Sequence, residues 1–142
     1  PCAVERAYAF FMVNMPGNII ADANGNQVQP VPSIERFIYV ECRGTKKPDI
    51  ASIVYEKTPF TITITSVDRN TVIVGKKMEN EEKFKLSARR GYKLWKIDLA
   101  ADKEKKMVSQ DCKNIVIKSR SGGKPCKYYL YKETELMGLP RY

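Results

Sequence analysis

A chain of 142 residues, 43% hydrophobic and 29% charged, has the length of one domain and the composition of a folded protein, able to bury roughly two thirds of its unfolded surface. No apolar run approaches the ~20 residues of a membrane helix, and the absence of histidine excludes Ser/His and Cys/His nucleophile pairs and every His-containing metal site. The net charge of +9 lies wholly in the second half, since residues 1–75 carry 7 Lys or Arg against 7 Asp or Glu and residues 76–142 carry 18 against 9, which names the sign of a partner but not its class.

The first residue is Pro1 rather than Met, as expected of a processed, exported chain whose signal peptide has been removed. Val4 to Val13 is apolar on both faces, which predicts a central strand; Asn14, Met15, Pro16 and Gly17 stop it before helix length. Asn24 and Gly25 supply the two positive φ angles of a two-residue hairpin turn, with Ile19, Ala21 and Val28 placed to pair across it. The alternation of Asp22, Asn24 and Asn26 is not a calcium loop: its sixth position is Gln27 instead of Gly, and its twelfth is Ser33 instead of a bidentate carboxylate. Pro30 and Pro32 cannot both sit in a central ladder, so they mark an edge or a crossover.

Ile34 to Arg43 is again apolar on both faces and predicts an interior strand, ended by the loop Gly44 to Asp49. Ala51 to Lys76 is the most β-committed stretch. Phe60, Ile62 and Ile64 point one way and Thr61, Thr63 and Thr65 the other, and Val72 and Val74 resume the alternation after a turn at Asp68, Arg69 and Asn70, predicting a hairpin or meander. The threonine row reads as an ordinary exposed strand face, threonine being β-branched and polar.

Met78 to Lys83 is a charged loop or one helical turn. Phe84, Leu86 and Ala88 alternate with Lys85, Ser87 and Arg89, a half-buried strand with a cationic outer face, and Arg90 and Gly91 make the next turn. In Tyr92 to Leu99, Trp95, Ile97 and Leu99 share one side and Leu94, Lys96 and Asp98 the other, with the tryptophan read as core. Ala101 to Lys106 suits one or two helical turns. Ile115 to Lys118 and Lys127 to Lys132 are the last strands, joined by a mobile loop at Ser119 to Pro125 whose glycines lack the GxxxxGK[ST] spacing of a phosphate-binding loop. Glu133 to Tyr142 reads as a C-terminal tail laid over the body through Leu136, Met137 and Leu139.

About eight strands with turn signals at short intervals and no long helix predict an all-β fold: a single domain over residues 1–142 built as an antiparallel β-sandwich, with a barrel as the alternative. An immunoglobulin-like arrangement is a conceivable subtype, although Cys42 and Trp95 lack the Cys, Trp, Cys order of antibody domains. Cys2, Cys42, Cys112 and Cys126 are even in number and contain no CxxC pair, which argues against zinc and for two disulfides. The shortest loops pair Cys2 with Cys42 and Cys112 with Cys126; four buried thiols in a cytosolic domain are the alternative. Disulfides place the chain in the periplasm or outside the cell.

No cofactor or metal site is expected. For catalysis there remain carboxylate pairs such as Glu35 with Glu41 or Asp98 with Asp102, which no spacing places across a cleft. The cations Arg89, Arg90, Lys93, Lys96, Lys118, Arg120, Lys124 and Lys127 are the expected binding residues for an anionic partner. The leading expectation is therefore a non-catalytic, secreted or periplasmic binding or structural module whose basic half faces an acidic polysaccharide, a lipid headgroup at a membrane surface or an acidic protein. Interleaved Tyr92, Tyr128 and Tyr129, with Lys85 nearby, make single-stranded nucleic acid the alternative partner; a histidine-free hydrolase is the third reading.

Overall fold

A computed structural model describes residues 2–14, 20–21, 23–28, 33–100 and 112–138. Within them the chain is all-β: β1 (Val4–Asn14), β2 (Ile20–Ala21), β3 (Gln27–Val28), β4 (Ser33–Arg43), β5 (Asp49–Tyr55), β6 (Thr58–Ser66), β7 (Thr71–Lys76), β8 (Lys83–Ser87), β9 (Tyr92–Ala100), β10 (Ile115–Ser121), β11 (Lys124–Leu130) and β12 (Thr134–Leu136). Eight of these form one sheet in the order β11-β10-β5-β6-β9-β4-β1-β12, and β2-β3 and β7-β8 make two small ones. Every neighbouring pair in the large sheet is antiparallel except β1 with β12.

The large sheet is curled. A disulfide joins Cys2, just before β1, to Cys126 on the far-end strand β11, with their Cα atoms 5.7 Å apart. That tie relates residues 124 positions apart, the same separation that pairs Phe10 with Thr134 and Met12 with Leu136. Cys126 and residues 134–136 therefore meet β1 at one constant offset, the first covalently and the others through the ladder.

Alternation fills the inside of this curl. Ala7 and Ala9, Ile38 and Val40, Trp95 and Ile97, Ile53 and Tyr55, and Ile115 and Ile117 make one buried cluster, with Phe60, Ile62, Ile64 and Leu99 packed against it. The two alanines are the small side chains of the set, as a tightly closed interior requires. The opposite faces of β1, β4 and β9 are apolar too, carrying Phe10, Phe37, Tyr39 and Leu94, and they are covered by Leu86, Phe84, Val72 and Val74 of the β7-β8 hairpin and by Leu136. Phe10 stacks on Phe37 at 5.5 Å and meets Phe84 edge-on at 4.9 Å. Two faces buried on the same strands explain why Val4 to Val13 and Ile34 to Arg43 read as continuous apolar runs. The expected faces of Trp95 and Leu94 hold, as does the exposed row of Thr61, Thr63 and Thr65.

Several expectations need correction. Asp68 to Asn70 do not join paired strands: β6 lies between β5 and β9, while β7 leaves the sheet and pairs with β8. The outward apolar residues of β1, β4 and β9 need a cover, and Val72 and Val74 supply part of it. The turn holding Asn24 and Gly25 is longer than two residues, because Ala21 pairs with Gln27; Gly25 still takes a positive φ of 80°. Ser119 to Pro125 is not a loop, for both strands run into it and only Gly122 and Gly123, at φ 58° and 78°, form the turn. Of the two readings of Met78 to Lys83 the loop holds: Met78 to Glu82 is a turn with Glu81 at φ 60°, and Lys83 begins β8. The tail is partly a strand: Thr134 to Leu136 is β12, with Leu136 buried and Met137 exposed. Pro30, Pro32, Ala101 to Lys106 and Leu139 lie outside the described residues.

The cysteine pairing also differs. Cys2 bonds Cys126, and Cys42 and Cys112 are buried cysteines outside any disulfide. Cys112 lies 3.8 Å from the Arg36 guanidinium at the start of β4, whereas Cys42 lies near the other end of that strand, six residues or roughly 20 Å away. Cys126, opposite Ser119 on β10, is likewise far along the strand from Cys112, so loop length does not decide the pairing. No helix among the described residues is long and apolar enough to cross a membrane.

Candidate anion-binding site

The eight cations expected to meet an anion fall into two groups in space. Four belong to the β8–β9 region, and three of these are engaged with neighbours. Arg89 clamps the buried Glu41 carboxylate, with Nη2 at 2.7 Å, Nε at 2.8 Å and its backbone N–H donating at 3.0 Å. Its guanidinium lies 4.1 Å from the centre of the Tyr92 ring, and the hydrogen bond to Glu41 raises its pKa further. The Lys93 ammonium sits 3.7 Å from Asp68. Lys96 lies 3.5 Å from Asp98 and 4.8 Å from the Phe37 ring centre. Arg90 is exposed in the turn before β9.

The other four stand on the hairpin at the sheet's end. Inward residues of β10 are Ile115, Ile117 and Ser119, which leaves Val116, Lys118 and Arg120 facing out; on β11 the outward set includes Lys127 and Tyr129. The register sets Lys118 directly opposite Lys127 and Val116 opposite Tyr129. On its other side Lys118 faces Ser52 of β5, so no carboxylate flanks it in register. Like charges facing each other across a ladder destabilise it. Lys118, Arg120, Lys124 and Lys127 have no ion pair among the described residues. Tyr129 is 48% exposed and Tyr131 68%, so the ribbon presents aromatic faces beside its ammonium groups. Tyr128, grouped with them by sequence, packs against the interior cluster instead, and Tyr92 is taken up by Arg43 and Arg89.

Arg120 also lines a cleft of about 610 Å³ at the disulfide end of the curl. Its walls are Cys2, Ala3 and Glu5 at the start of β1, Cys42 and Arg43 at the end of β4, the loop residues Lys46 to Asp49, and the turn from Arg120 to Gly123. Four cations, Arg43, Lys46, Lys47 and Arg120, share it with two carboxylates, Glu5 and Asp49. Arg43 Nη2 donates to the Tyr92 hydroxyl at 3.1 Å, a bond that raises the guanidinium pKa and fixes its position. At Gly122 and Gly123 the space where a Cβ would stand is open, so a ligand can approach the backbone of the turn. Sequence reasoning missed Arg43, Lys46 and Lys47 because they belong to the half of the chain with no net charge; the KK dipeptide beside Pro48 is the local signal that was there.

A second polar group is buried at the other end of the curl. Arg36 Nε lies 3.1 Å from Glu133 Oε1, the Cys112 N–H donates to Glu133 Oε2 at 3.0 Å, and the Arg36 guanidinium lies 5.6 Å from the Tyr55 ring centre. Burial, foremost, raises the Cys112 thiol pKa to about 11 and that of Cys42 to about 12, which makes both poor nucleophiles at neutral pH. The carboxylates weighed for catalysis do not meet: Glu35 and Glu41 are six positions apart on β4, roughly 20 Å, Glu41 is held by Arg89, and Asp102 lies outside the described residues. Compared with known proteins, the chain matches no family model, no curated protein and no solved structure.

Proposed function

We propose that the protein is a non-catalytic binding module, secreted or periplasmic, that holds an acidic polysaccharide along the outer face of β10 and β11. The observation that carries this reading is the opposed pair of Lys118 and Lys127 beside exposed Tyr129 and Tyr131. Two ammonium groups facing each other without a carboxylate cost the ladder stability, and an anionic chain lying across the ribbon offsets that cost. A tyrosine face stacks on sugar rings, and the outer face of the ribbon spaces cations along an extended polymer. The Cys2–Cys126 disulfide supports an oxidising compartment.

The test is chromatography on immobilised heparin over a salt gradient. Retention is expected at low salt and falls steeply as salt rises, because bound counterions are released on binding and exposed charges are screened. Lys118→Glu with Lys127→Glu elutes markedly earlier, whereas Arg90→Glu, on the far group, shifts elution less. Passage through the column at low salt overturns the proposal. Single-stranded nucleic acid is the second reading, favoured by the same tyrosines beside lysines. Titration with single-stranded DNA at two salt concentrations decides: tighter binding than to a polysaccharide of equal charge density replaces the first reading with the second.

A further inference from the structure

We infer that the cleft beside the Cys2–Cys126 disulfide is a pocket for one sugar unit bearing an oxoanion ester, sulfate or phosphate. The inference rests on the reading of the protein as an anion-binding module and adds a ligand class and a second, concave subsite. At about 610 Å³ the cleft falls within the usual size of small-molecule sites, and it is continuous with the ribbon through Arg120, which belongs to both.

The lining is specific in its mixture. Lys46 and Lys47 have no ion pair among the described residues, and Arg43 is held in place by Tyr92. With Arg120 these groups can surround a doubly charged ester. The Gly122–Gly123 turn adds backbone: no atom stands within 4 Å of either Cβ position, so a ligand can come close to the main chain there. A bare inorganic anion would use only this half of the site. Glu5 and Asp49 line the same cleft; ionised carboxylates only accept hydrogen bonds, so they repel a free anion and favour a ligand that carries hydroxyl donors next to its charge. Asp49 faces Arg120 across the β5–β10 ladder without forming an ion pair among the described residues, which leaves both available to one bound molecule. A sugar sulfate or sugar phosphate satisfies both halves of the lining.

Isothermal titration calorimetry with glucose 6-sulfate, glucose 6-phosphate, glucose, sulfate and phosphate tests this. Both esters are expected to bind, each at least about tenfold more tightly than the corresponding inorganic anion and than glucose, a step of ~1.4 kcal/mol; a preference between the esters identifies the natural group. Lys46→Ser with Lys47→Ser, in an exposed loop, lowers ester affinity about tenfold and leaves the circular dichroism spectrum unchanged, while Lys83→Ser, on β8 and outside the cleft lining, changes the affinity less than about twofold. Glu5→Gln with Asp49→Asn narrows the difference between ester and inorganic anion. Equal binding of ester and inorganic anion, or no effect of the Lys46/Lys47 substitutions, overturns the inference. Absent ester binding with heparin retention intact overturns the cleft alone; ester binding without heparin retention overturns the polymer reading alone.

Discussion

Replacing Glu133 with Ala tests the buried pair at the far end of the curl. The Arg36 and Glu133 side chains are 6% and 0% exposed, and the carboxylate accepts from Arg36 Nε at 3.1 Å and from the Cys112 N–H at 3.0 Å. Its removal takes the Glu133 carboxylate away from the guanidinium beside the Tyr55 ring and from the Cys112 N–H. Breaking one side of a buried pair costs about 3–5 kcal/mol, a large part of the ~5–15 kcal/mol that holds a domain of this size together. Urea unfolding followed by the fluorescence of buried Trp95 measures the loss. Glu133→Gln, which keeps an acceptor oxygen but not the charge, falls between wild type and Glu133→Ala. The double change Arg36→Met with Glu133→Leu recovers part of the loss, because neither member of the pair is then left facing the space of the other. A loss below ~1 kcal/mol for Glu133→Ala, or no recovery in the double variant, refutes the argument.

Replacing Cys2 and Cys126 by serine removes the covalent tie across the seam; closing a loop of about 100 residues is worth roughly 4.7 kcal/mol in the chain-entropy account, so a fall in urea midpoint is expected together with faster hydrogen exchange in β11 and at the start of β1. Thiol titration is expected to find no reactive cysteine in the native protein at neutral pH and two after denaturation, since Cys42 and Cys112 are buried. Both thiols have folded pKa values above their ordinary 9.0, at about 12 and about 11, so the unfolded chain releases these protons first. Their contribution to stability is complete below pH ~9 and is lost as pH rises through the folded values, which alkaline melts of wild type against Cys42→Ala detect. Lys57 sits at φ 72° in the two-residue turn between β5 and β6, where a side chain costs about 1 kcal/mol relative to glycine; Lys57→Gly is expected to raise stability by that order in the same urea assay.

Strand faces were legible in the sequence because a strand repeats every two residues. That made Phe60 against Thr61, Trp95 against Leu94, and the double-sided runs of β1 and β4 readable without partners. The turn at Glu56 and Lys57 was not, since neither residue favours positive φ; the ladders on either side impose it by setting Tyr55 opposite Thr58. The cations were legible as residues but not as a site. Dividing the chain at its midpoint put Arg89 and Lys96 with Lys118 and Lys127, whereas the sheet order sets two strands, β6 and β5, between β9 and β10.

Local alternation and turn chemistry thus settle that the chain is all-β, which side chains face a core, and how strongly charged it is. Only the tertiary structure decides which strands meet. Curling the sheet brings residue 2 to residue 126 and residue 10 to residue 134, leaves Cys42 and Cys112 at opposite ends without a disulfide between them, and gathers Arg43, Lys46 and Lys47 beside Arg120. These relations connect residues up to 124 positions apart. They follow from burying two faces of the same three strands at once, a condition on the whole chain that no short window of sequence contains.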